Sequence, residues 1–76
     1  MIIMYLYFED SYGKQRFVSE CTEENVGKIM TDYVHSLNPN FKIHYTRCWD
    51  NENCDTVYDV GSHVEFFILK TERNQE

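Results

Sequence analysis

Apolar and polar positions along this chain separate into blocks with distinct periods. Residues 2–9 are almost continuously apolar, with Ile2, Ile3, Met4, Tyr5, Leu6, Tyr7 and Phe8 in succession. The β-branched and aromatic content predicts a strand, apolar on both of its alternating faces. Asp10-Ser11-Tyr12-Gly13 supplies turn chemistry, and residues 14–21 follow as the second arm of an antiparallel hairpin. That arm is more polar (Lys14, Gln15, Arg16, Ser19, Glu20), as suits an edge strand.

The period then changes. Val26, Ile29, Met30, Tyr33, Val34 and Leu37 recur at intervals of three and four, which marks one face of a helix. Thr22 is the expected N-cap, with Glu23 and Glu24 in the first turn at the positive end of the helix dipole. Asn25 stands where a capping box would place Glu or Gln. Asn38 and Pro39 end the helix. Gly27 inside it either permits close packing or costs about 1 kcal/mol of helix propensity.

Residues 41–49 alternate, with Phe41, Ile43, Tyr45, Arg47 and Trp49 on one side and Lys42, His44, Thr46 and Cys48 on the other. This predicts a half-buried strand. A polar loop from Asp50 to Asp55 follows, then residues 56–60 and 63–70 as strand, broken or bulged at Gly61-Ser62. The expected fold is α+β: a ββαββ domain over residues 1–70, with a four- to five-stranded antiparallel sheet and one helix packed on one face. Residues 71–76 form a polar tail, expected to be disordered. One helix covers only one face, so the doubly apolar first strand calls for a second copy or a partner on the other.

Composition narrows the class. The chain has 76 residues, 42% hydrophobic and 16% aromatic, enough for one globular domain near the lower size limit for unaided folding. The net charge is −6, and no Lys or Arg lies between Arg47 and Lys70, whereas Asp50, Glu52, Asp55, Asp59 and Glu65 do. Phosphate backbones demand positive charge, so direct nucleic-acid binding is disfavoured and a basic protein surface is the better match. Acidity also keeps a small protein soluble, which is the plainer reading of the same charges. The apolar start is too short to span a bilayer and lacks a basic leader, so no membrane partner is expected. Cys21, Cys48 and Cys54 leave one unpaired in any disulfide scheme, and free thiols in a reducing cytoplasm are expected.

Candidate chemistry is sparse. Cys48, Cys54, His44 and His63 lack the tight cysteine pair of structural zinc sites, and no metal or other cofactor is expected. Asp50, Glu52 and Asp55 lack the turn glycine and closing glutamate of a calcium loop. No cysteine has an activating neighbour, and Asp59 with His63 around Gly61-Ser62 reads as turn hydrogen bonding rather than acid-base chemistry. The aromatic set is the stronger signal. Tyr5, Tyr7, Tyr45, Trp49, Tyr58, Phe66 and Phe67 do not all fit under one helix. If the first and third strands are neighbours, an aromatic strip with Arg47 beside it faces away from the helix.

The runs YLYFEDSYG and YDVGSHVEFFIL resemble small accessory proteins encoded by phages and prophages of Gram-positive bacteria. The resemblance covers most of the chain and carries no catalytic motif. It implies a short acidic protein acting in the cytoplasm of an infected host. Several such families inhibit host machinery by direct binding, including anti-CRISPR proteins that imitate the charge of DNA. The expectation is a non-enzymatic inhibitor of a host defence nuclease or other nucleic-acid-handling complex. Asp50, Glu52, Asp55 and Asp59 would meet Lys and Arg on the target, and Tyr45, Arg47 and Trp49 would supply desolvated anchors. The alternative is a homodimeric structural or assembly module of a phage.

Overall fold

A computed structural model describes residues 2–52, 55–61 and 64–71. Asp10 organises the first reversal. Its carboxylate accepts the Tyr12 and Lys14 N–H groups at 3.0 Å each, and its carbonyl accepts the Gly13 N–H at 2.9 Å. Gly13 sits at φ +82°, which a side chain would resist. This turn joins β1 (Met4–Glu9) to β2 (Gln15–Cys21) in antiparallel register. The register slips between Leu6 and Tyr7, where Val18 is the extra residue of a bulge on β2. Ile2 and Ile3, expected in the strand, lie before it and are exposed.

Helix α1 spans Val26–Leu37. It begins a turn later than expected, because Thr22 to Asn25 form a preceding turn and Asn25 is the N-cap. The Asn25 side chain reaches back to accept the Thr22 N–H at 2.8 Å, as a capping-box Glu or Gln would. The Thr22 carbonyl takes the Val26 N–H at 3.0 Å. Glu23 and Glu24 therefore precede the first helical turn and do not occupy it. At the other end, the Asn38 N–H bonds to the Val34 carbonyl, and His35 Nε2–H donates to the Phe41 carbonyl at 3.0 Å. That bond ties the following loop to the helix. A Cβ on Gly27 would meet nothing within 4 Å, so close packing does not explain it.

Strands β3 (Arg47–Asp50), β4 (Thr56–Asp59) and β5 (Phe66–Lys70) complete a five-stranded antiparallel sheet of order β2-β1-β5-β4-β3. The expected long strand 41–49 is corrected here. Burial does alternate through Phe41, Ile43 and Tyr45, but a ladder partner exists only from Arg47, opposite Asp59. The segment at Gly61 is a reversal between two antiparallel strands, with Tyr58 opposite Phe67. Gly61 has φ +79°, and a Cβ there would meet the Phe41 ring at 3.3 Å. The first and third strands are not neighbours, since β5 and β4 lie between them. The tail from residue 72, Cys54, Ser62 and His63 lie outside the described residues.

The two faces of the sheet pack differently. On one, Leu6, Phe8, Cys21, Val60 and Phe67 meet Val26 and Met30 of α1, with Ile29, Tyr33 and Val34 at the margin. Phe8, Tyr33 and Phe67 form a ring trio with centroids 5.1–5.8 Å apart. Leu37, expected on this face, is exposed at the end of the helix. On the other face, Tyr7, Val57 and Ile68 are only 5%, 7% and 4% exposed, with Tyr5 and Phe66 against them. Among the described residues no helix covers this face. Large neighbours roof it instead: Phe17 meets Tyr7 edge-on at 5.5 Å, Lys70 Nζ lies 5.1 Å from the Tyr7 ring centre, and Trp49 meets Phe66 edge-on at 5.8 Å. The surplus apolar surface expected from the sequence is thus largely closed within the chain.

Candidate functional site

The expected partner-binding residues converge on β3 and the turn after it. Arg47 stands opposite Asp59, and Trp49 opposite Val57, all on the face turned away from α1. Trp49 and Phe66 meet across the intervening β4. Phe66 was absent from the expected site. Its sequence signal, an aromatic pair Phe66-Phe67 on an alternating strand, requires one ring on each face.

Asp59 is the residue whose expected role changes. It has no exposed surface, so it cannot meet a cation on a target. Its Oδ2 instead accepts the Arg47 Nη2 at 2.6 Å and the Tyr45 hydroxyl at 3.2 Å. The short hydrogen bond to Asp59 raises the Arg47 guanidinium above its ordinary pKa. The same guanidinium carbon lies 5.5 Å from the Tyr45 ring centre and 5.7 Å from that of Trp49. One anchored cation thus fixes two aromatic rings, and its side chain still remains 57% exposed. Trp49 is 41% exposed.

The acidic residues differ among themselves. Asp50 is exposed and accepts the Thr56 hydroxyl at 3.3 Å. Asn51 and Asp55 close the hairpin, with the Asn51 N–H on the Asp55 carbonyl at 2.9 Å and the Asp55 N–H on the Asn51 side chain at 3.1 Å. Asp55 is half-buried, and Glu52 is exposed at the tip. Asp50 thus ends β3 and Glu52 and Asp55 lie in the turn after it, whereas Asp59 is buried on β4 directly opposite Arg47.

Other chemistry is thin. Among the described residues no three His, Cys, Asp or Glu side chains converge in a metal-binding group. Cys21 is buried, and burial pushes its thiol pKa up, away from a reactive thiolate. Tyr58, on the helix-covered face, is likewise raised, chiefly by burial. Cys48 is exposed on β3. An apolar groove of about 310 Å³ runs between the end of α1 and the Gly61 turn, with Glu65 its one ionisable lining residue among those described. Among the described residues no helix is long and apolar enough to cross a membrane. The chain matches no family model, no curated protein and no solved structure.

Proposed function

We propose that this protein is a non-enzymatic binding protein, made by a phage in the cytoplasm of its bacterial host, that inhibits a host nucleic-acid-handling protein by occupying its basic surface. The observation that carries the reading is β3. All four of its residues are exposed, Arg47 bonds to Asp59 and lies against the Tyr45 ring, Trp49 meets Phe66 edge-on, and Asp50, Glu52 and Asp55 lie at its end and in the turn after it. Arg, Trp and Tyr dominate interface hot spots because they bury large area at low entropic cost, and preorganisation lowers that cost further. The resemblance of YLYFEDSYG and YDVGSHVEFFIL to phage and prophage proteins supports a host target. The acidic rim supports one that normally holds nucleic acid. A homodimeric assembly module joined face to face has less support, because side chains of the same chain already cover most of the second face.

The test is capture from a host lysate followed by assay of the captured protein's activity. Wild-type protein is expected to inhibit at low salt and less at high salt. Trp49→Ala and the triple reversal of Asp50, Glu52 and Asp55 to Lys are expected to lose inhibition while remaining folded. Equal inhibition by the triple variant would refute the electrostatic mechanism.

A further inference from the structure

The sheet ends in two edges that are not equivalent. β2 is bulged at Val18, a distortion that hinders strand addition. β3 is regular against β4 and exposed throughout. Its backbone polarity follows from the hairpin bond. The Asn51 N–H points at the Asp55 carbonyl, and in an antiparallel ladder inward and outward residues alternate. Trp49 and Arg47 therefore turn their N–H and C=O groups toward β4, and Cys48 and Asp50 turn theirs outward. Among the described residues no strand lies beside them.

We infer that β3 binds its partner by strand addition, and that the occupant is an extended basic segment of a partner protein. The inference rests on the binding reading above and specifies its geometry. A strand laid along β3 would pair its backbone with Cys48 and Asp50. Side chains directly opposite those two residues share their face of the sheet, and the next residue along falls beside Trp49 on the other face. Lys or Arg opposite Asp50, near Glu52, and an apolar residue against Trp49 satisfy both faces. The preferred segment thus alternates basic and apolar residues. A second copy is the poorer occupant. It carries the same net charge of −6, so two copies repel one another overall.

The probe is a blocked peptide of alternating Lys and Val, titrated into isotopically labelled full-length protein. A copy of that peptide N-methylated at the lysine backbone nitrogens, which keeps the charge but lacks the N–H groups that would face Cys48 and Asp50, is the control. The expected result is that amide exchange at Cys48 and Asp50 slows at least about tenfold, while Arg47 and Trp49, already in the ladder, change little. The N-methylated peptide should bind about tenfold more weakly. Cys48→Pro deletes an outward N–H and should weaken the Lys-Val peptide by a similar factor. N-methylation of Cys48, introduced by ligation at that cysteine, deletes the same N–H and serves if the proline variant melts early.

Equal binding of both peptides, or undiminished binding to both Cys48 variants, overturns strand addition and leaves a charge-only contact with the binding reading intact. No binding of the Lys-Val peptide overturns it as well. Protection of the Cys48 amide in protein alone, rising with concentration, would assign the edge to a second copy. Loss of host-protein inhibition in the lysate experiment, with peptide binding retained, would instead fail the proposed target.

Discussion

Beneath α1, Leu6 and Phe67 are sealed by a helix that contributes Val26, Met30, Tyr33 and Val34 at once. On the opposite face Tyr7, Val57 and Ile68 are nearly as well hidden, but by single side chains: Phe17 at one end, Trp49 and Phe66 at the other. The first kind of burial is collective, and removing one contact leaves the cover in place. The second is local, and each roof residue shields its own neighbour while staying partly in water. That difference leaves large side chains of the second face, Phe17 and Trp49, standing partly in water.

The largest expected effect breaks the collective side. Phe67→Ala should cost about 3–5 kcal/mol and leave the chain unfolded or marginal, by loss of burial plus a cavity. Phe17→Ala, at a roof residue 36% exposed, should cost only about 1 kcal/mol. Thermal or denaturant unfolding reads both, and equal costs would erase the distinction between the faces. Next is Asp59→Asn, expected to destabilise by about 2 kcal/mol through loss of a charged hydrogen bond beneath Arg47 and Tyr45. Near-ultraviolet dichroism should then show Trp49 loosened.

Gly27→Ala sharpens the contrast from the helix side. A methyl there meets open space, so stability should rise by about 0.5–1 kcal/mol with the second face untouched. The smallest effect is alkaline. Burial raises the Cys21 thiol above its ordinary value of 9.0, so the folded chain holds that proton more tightly than the unfolded one. The Cys21 contribution to stability is therefore full below about pH 9 and declines as pH rises through the raised folded value. Tyr58 adds the same sign above about pH 10. Unfolding midpoints measured from pH 7 upward should fall, and Cys21→Ala should flatten the early part of the slope. An unchanged slope in that variant would remove Cys21 as the cause.

Much of this fold was legible because its signals are local. The 3.6-residue period of Val26 to Val34 names the helix face, and Asp10 with Gly13 names the first turn. The helix start was less so, since Asn25 does from its position what a longer Glu or Gln was expected to do. The strand expected over 41–49 shows the limit of alternation. It reports which side of an extended segment is buried and not whether another backbone lies beside it, so residues 41–46 alternate without a ladder. Strand order was not legible, because nothing local tells β5 rather than β3 to dock on β1. In the site, Tyr45, Arg47 and Trp49 do come together. Asp59 was read as surface charge from its acidic neighbourhood, yet it sits between Val57 and Val60 in a run of apolar residues. A lone carboxylate in such a run is the mark of an internal ion pair, and Arg47 is its partner.

The bulge at Val18 has a consequence for valency. Where both edges of a sheet accept strands, each bound chain offers a fresh edge to the next, and assembly runs on into fibres. Here the β2 edge is distorted by a bulge, so growth at β3 finds no matching second edge from which to continue. On the proposed strand addition, assembly would stop at one occupant per copy. The bulged edge thus lets an open strand stand at β3 without copies adding at both ends of the sheet.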